Sequence, residues 1–147
     1  MASPVFLDAN AIIYALDETS SYYNFTVKIV QSILASGAQV CTSHHVIEEV
    51  VHVVVKTTDG QITAQQVIDE IAKIPNLVMV EPAAQMSFAK RYAALCDTHN
   101  LGVNDALLLQ LMIDSGITSL LSYDKKFVKK AELLGINCMA NIGKSQG

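Results

Sequence analysis

Residues 3–16, SPVFLDANAIIYAL, decide the fold. Val5, Phe6 and Leu7 form an apolar run behind Pro4, which predicts a short, fully buried strand. Asp8 and Asn10 interrupt that run. Ile12, Ile13 and Leu16 then resume it at the spacing of a helix. An acid at a strand-to-helix turn stands where open α/β sheets keep their ligand sites. Asp and Asn are also favoured helix caps. This stretch alone leaves both roles open.

Outward from it, the chain alternates short apolar runs with helical patterns. Strands are predicted at VFLDA (5–9), QVCT (39–42), LVMVE (77–81), TSLLS (118–122) and INCMA (136–140). Helices are predicted at AIIYALDE (11–18) and YYNFTVKIVQSILASG (22–37), the second stopped by Gly37. A third helix starts at Ser43 and runs through HHVIEEVVHVVVK, and TAQQVIDEIAKI ends at Pro75. AAQMSFAKRYAALCDTH follows Pro82; Asn100 and Gly102 then break the chain before VNDALLLQLMIDSG. DKKFVKKAELLG is the last helix. Short apolar strands separated by helices predict a parallel sheet in an α/β sandwich. Residues 1–141 read as a single domain and 142–147 as a flexible C-terminal tail.

At 147 residues, 51% of them hydrophobic, the chain can bury a full core and cover its sheet on both faces. Only 16% are charged and the net charge is −4, which excludes a wholly electrostatic grip on nucleic acid. Contact with phosphate then requires a local patch or a bound cation. Cys41, Cys96 and Cys138 are odd in number and widely spaced, against a disulfide framework or a thiolate zinc site. Without a signal-peptide pattern or a membrane-length apolar run, the expected location is the cytoplasm.

Several acids stand against the pattern. His44, His45, Glu48 and His52 make a polar stripe on the third helix, and Glu48 at its centre reads as solvated. Glu49 lies between Val46 and Val53, at the border of the apolar stripe, facing either a pocket edge or water. Asp105 shares a face with Leu101, Leu108, Leu109 and Met112. A helix dipole favours an acid in the first turn but does not explain that face, where an aspartate must be paired, metal-bound or shifted in pKa. SLLSYDKKF (119–127) repeats the opening pattern, an apolar strand running into Ser122 and Asp124. Asp8 and Asp124 fall on one edge of a parallel sheet, and Glu49 and Asp105 lie early in helices near that edge. Four converging carboxylates repel unless some stay protonated or a divalent cation joins them, and an all-oxygen set suits Mg²⁺ or Mn²⁺.

With these positions laid out, the sequence resembles the PIN-domain ribonucleases, and in particular the toxin half of VapBC-type toxin–antitoxin pairs. FLDANAIIYAL, TSHHVIEEVV, GVNDALLLQLM and LLSYDKKF carry the resemblance, in family order. It implies a three-layer α/β sandwich, with a short parallel sheet flanked by helices. It implies a metal-dependent endoribonuclease whose metal-binding and catalytic acids are Asp8, Glu49, Asp105 and Asp124. Asn10 and Ser122 match the small polar positions that accompany the first and last acids. A Mg²⁺ or Mn²⁺ cofactor, an RNA substrate, a cognate antitoxin and a homodimer are further implications. Lys125, Lys126, Lys129 and Lys130 follow Asp124 and can hold flanking phosphates; as a charge run they equally suit a solvated helix face. Two departures stand out: Lys126 where many relatives have an acid, and Arg91 as the only arginine.

Other readings of the same residues compete with this one. A dehalogenase-type phosphatase also begins with strand-end D-x-D chemistry, but here its second acid is Asn10. A zinc site from His44, His45, Glu48 and His52 lacks H-E-x-x-H, and His99 stands alone. A catalytically degenerate PIN fold serving as a protein-interaction module is the non-enzymatic alternative, since fold alone does not confer activity.

Overall fold

The computed structural model describes residues 3–139. In chain order these form β1 (Val5–Leu7), α1 (Ala9–Leu16), α2 (Tyr23–Ala35), β2 (Val40–Thr42), α3 (His44–Thr57), α4 (Ala64–Ile71), β3 (Val78–Met79), α5 (Met86–His99), α6 (Val103–Asp114), β4 (Ser119–Leu121), α7 (Lys125–Leu133) and β5 (Asn137–Cys138). The expected tail, 142–147, lies outside the described residues.

Every strand pair is parallel, and the spatial order is β3-β2-β1-β4-β5. Successive strand residues point to opposite faces. All three residues of β1 and of β2 are buried, so the sheet is covered on both sides: the α/β sandwich the PIN-like reading calls for. Phe6, Leu7, Val40, Leu120 and Leu121 form the middle of the core, met by Ile12, Val46, Val50, Leu109, Met112 and Phe127 from the helices. Fully burying side chains of this size stabilises the fold by about 1.5–3 kcal/mol each. Among the described residues no helix is long and apolar enough to cross a membrane.

The chain leaves β1 for β2 on one side, and β4 pairs with β1 on the other, Leu7 beside Leu121. Strand order therefore reverses between β1 and β4. The crevice beyond the carboxyl ends of two such strands is where open α/β sheets bind ligands.

Some boundaries differ from the sequence reading. α1 stops at Leu16, because Asp17 turns the chain by accepting from both the N–H and the hydroxyl of Thr19. α4 ends at Ile71, short of the expected 74, since Pro75 disfavours helix in the residue before it. α5 begins at Met86 rather than 83: Gln85 is extended, and Phe88 is the helix's one buried residue. β3 is only two residues long, and both are exposed. Gly37 terminates α2 as expected, in the left-handed region at φ +85.

Candidate active site

Asp8 follows β1 directly and caps α1, its Oδ1 accepting from the Ala9 N–H at 2.9 Å. Its Oδ2 accepts from the Ser122 hydroxyl at 2.7 Å. Ser122 stands at the corresponding end of β4, so one hydroxyl spans the strand-order reversal. The same Ser122 Oγ accepts from the Asp124 N–H at 3.2 Å and from the Asn10 amide at 3.5 Å. Asn10 Oδ1 in turn accepts from the Tyr123 N–H at 3.0 Å. Asn10 and Ser122 thus tie the turn after β1 to the turn after β4 and set the bearing of both acids. Asp124 caps α7, its Oδ1 accepting from the Lys126 and Phe127 N–H groups. Each strand-end acid is a helix cap at the carboxyl edge of the sheet, and for Asp8 capping does not exclude the ligand role left open by the sequence.

Glu49 and Asp105 come from α3 and α6. Ser43 caps α3 through the Val46 N–H, and Glu81 accepts from the His44 N–H at 2.8 Å. His45 meets Asn104 at 3.2 Å and links the starts of the two helices. α6 is buried nearly all round, with Ala106, Leu108, Leu109, Gln110, Leu111 and Met112 all inside, and Asp105 is half-buried in its first turn.

Burial pushes the Asp8 carboxyl up, partly offset by Ser122 and the Ala9 N–H, and the charge of Asp124 adds to the rise. Glu49, although solvent can reach it, is raised by desolvation and then by Asp8, Asp105 and Asp124, with His45 pulling the other way. Asp105 is raised by desolvation, then by Asp124 and Asp8. The carboxylates that raise Asp8, Glu49 and Asp105 all come from this same set of acids. The four share one electrostatic neighbourhood at the carboxyl edge of the sheet.

They do not close in on one another. Among the described residues no three Asp, Glu, His or Cys side chains stand close enough to hold an ion between them. The caps of α1 and α7 engage one oxygen each of Asp8 and Asp124. The donor chemistry still fits a hard divalent cation: carboxylate oxygens only, with a mutual repulsion that a cation relieves.

The other candidates fall elsewhere. Lys125, Lys126 and Lys129 are exposed, whereas the Lys130 ammonium donates to the His99 carbonyl at 2.9 Å and ties α7 to the end of α5. Arg91 pairs with Asp114 at 2.6 Å. His44, Glu48 and His52 line a groove of about 710 Å³ between α3 and α4, with Ile47, Val51, Val55 and Ile68. Sequence reasoning missed the tyrosines beside the acids. Tyr14, Tyr22 and Tyr123 bring their rings together at centroid distances of 4.9 to 5.7 Å. The available signals were Tyr14 one helical turn after Asn10 and Tyr123 between Ser122 and Asp124.

An acid-bearing edge at the strand reversal of a parallel sheet marks out an α/β protein with a candidate ligand site at that edge. The chain belongs to the PIN-domain family, whose profile matches residues 5–133. Its fold is like that of a chain of VapBC2 from Rickettsia felis, a complex solved on a DNA fragment from its promoter (TM-score 0.64, 18% identity, 92% of this chain and 97% of that one). VapBC-1 from nontypeable Haemophilus influenzae is similar to the same degree (0.64, 16% identity, 92% and 96%). VapC20 from Mycobacterium tuberculosis, a toxin that cleaves the sarcin–ricin loop, aligns with a TM-score of 0.61 at 14% identity, over 85% and 93%. A search of curated protein sequences finds no match.

Proposed function

We propose that this protein is a Mg²⁺- or Mn²⁺-dependent endoribonuclease, the toxin of a toxin–antitoxin pair. The observation that carries the reading is that the charges of Asp8 and Asp124, at the strand ends, reach both Glu49 on α3 and Asp105 on α6, in a chain of the PIN family. VapC20, a structural neighbour, is an RNA-cleaving toxin, and two others come from VapBC complexes. In this reading the four carboxylates hold the cation. When bound, it supplies Lewis-acid activation of the phosphate and a water of lowered pKa.

The chain's own residues do the rest. Ser122 and Asn10 fix the orientation of Asp8 and of the turn that carries Asp124. Burial and the neighbouring acids push the Asp105 and Glu49 carboxyls up, and a cation beside them would relieve that repulsion. Lys125, Lys126 and Lys129, all exposed on or beside the helix that follows Asp124, would meet flanking phosphates. An acidic edge on a protein of net charge −4 repels a polyanion, a repulsion that a cation held by the four carboxylates would offset. We extend the proposal to a single domain over residues 1–141, a homodimer and a cognate antitoxin, from family membership.

The test is calorimetric titration with Mn²⁺, followed by incubation with total RNA and mapping of new ends. Saturable binding and discrete cuts abolished by EDTA are expected. A protein that binds no Mn²⁺ and cuts no RNA is instead the catalytically silent interaction module.

A further inference from the structure

We infer that Tyr14, Tyr22 and Tyr123 form a stacking platform for an unpaired RNA base next to the carboxylate site. This rests on the ribonuclease reading above. Tyr123 lies between Ser122 and Asp124, so its backbone is one residue, about 3.8 Å between Cα atoms, from an acid of the site. Its N–H is held by Asn10. Its hydroxyl meets Thr26 Oγ1 at 2.6 Å, and Thr26 also bonds the Tyr22 carbonyl at 2.7 Å. A threonine hydroxyl has one proton, and it goes to that carbonyl; Tyr123 is therefore the donor to Thr26. Buried Thr26 thus locks the Tyr123 ring against α2.

Tyr22 stacks on Tyr123 at 5.7 Å and 29°, and Tyr14 lies 4.9 Å from Tyr22 and 5.3 Å from Tyr123. None of the three rings is sealed in the core. Tyr22 is 36% exposed and the others half-buried, against 0% for Phe6 and 1% for Phe127. Phe25, 39% exposed, lies on the same helix as Thr26. The aromatic surface is rigid, wet and adjacent to the acids.

The occupant follows from what the chain lacks. Its one arginine is engaged with Asp114, Lys130 is engaged with a carbonyl, and the net charge is negative. RNA held by such a protein needs a large non-electrostatic contribution. Base-on-aromatic stacking provides one, and it tolerates any sequence because every base has a π-face.

The probe is a single-stranded RNA octamer of mixed sequence, beside the same octamer with abasic residues, titrated with Ca²⁺ in place of Mg²⁺ to hold the strand without turnover. The chain has no tryptophan and five tyrosines, three of them in the platform, so its intrinsic emission is tyrosine emission to which the platform is the main contributor by number. Expected are quenching of that emission by the base-bearing strand alone and a shallow salt dependence of binding. Tyr22→Ala is expected to weaken binding about tenfold, with Tyr22→Trp restoring it. Mn²⁺ binding by calorimetry is unchanged in both variants, showing the acids intact. If wild type and Tyr22→Ala bind the base-bearing strand equally, the platform is overturned while the nuclease reading stands, and the aromatic wall is left to a protein partner. If the wild type binds neither Mn²⁺ nor RNA, the nuclease reading falls and the platform with it.

Discussion

Helix α6 carries an aspartate at each end, and the two behave in opposite ways. Asp105 sits in the first turn, where the helix dipole favours negative charge, yet its carboxyl is pushed up. Asp114 ends the helix, where the dipole opposes it, yet its carboxyl is held down, chiefly by Arg91 and also by Gln110. Surroundings outweigh the dipole at both ends, burial first at Asp105 and the Arg91 partner first at Asp114. Asp114 has been given a cation by the fold. Asp105 faces the charges of Asp124 and Asp8, and among the described residues no side-chain cation pairs with it. A carboxylate kept half-buried without a counter-charge costs stability, and such residues concentrate at functional sites.

Neutralising the two ends separately breaks or sharpens this contrast. Asp105→Asn is expected to lower RNA cleavage by on the order of 10²–10³, the loss typical of removing one group that stabilises the transition state. It should abolish the Mn²⁺-induced rise in melting temperature, about 5–10 °C in wild type at a hundredfold excess over Kd. The fold should survive, slightly more stable in metal-free buffer. Steady-state cleavage and thermal melts with and without Mn²⁺ check both. Equal cleavage in wild type and variant breaks the contrast.

Ser122→Ala removes the hydroxyl that donates to Asp8 and receives from Asp124. Cleavage is expected to fall by about 10- to 100-fold, the usual effect of losing a group that orients a metal ligand. Stability is expected to drop by about 1–3 kcal/mol, measured by urea unfolding.

The pH dependence has a sign at each end. Asp8, Glu49 and Asp105 hold protons more tightly folded than unfolded, so stability is lost as pH rises from about 4 through their folded values. Metal-free protein should unfold at higher urea at pH 5 than at pH 7.5, and Asp8→Asn should flatten that slope. Asp114 runs the other way: its contribution is present above about pH 4 and lost as pH falls through its lowered value. Asp114→Asn is the smallest expected effect, under about 1 kcal/mol because the Arg91 pair is largely solvated, with cleavage and Mn²⁺ binding unchanged.

The site was legible in the sequence wherever local chemistry and fold position coincide. Asp8 and Asp124 follow apolar strands, and Asp105 breaks an apolar face; each signal lies within a few residues of the acid. Glu49 was separable from Glu48 only by its helical face. What stayed hidden depends on distant partners. Lys130 reads as a phosphate contact until the His99 carbonyl is seen beside it. The tyrosine cluster joins residues 14, 22 and 123, which no local periodicity connects. LVMVE reads as a buried strand because it is apolar, yet Val78 and Met79 lie exposed at the edge. The late start of α5 reflects where Phe88 finds the core, a tertiary fact.

The two outer strands have a consequence for how the molecule behaves in a crowd. β3 and β5 are two residues each, and the backbone around them bonds inward, Val80 to Thr42 and Met139 to Leu120. A neighbouring chain is offered almost no free backbone on which to add a strand. Short edges are a known defence against sheet-to-sheet aggregation. A chain that is half hydrophobic thereby keeps its most adhesive surfaces, the open margins of a β-sheet, nearly closed to self-assembly.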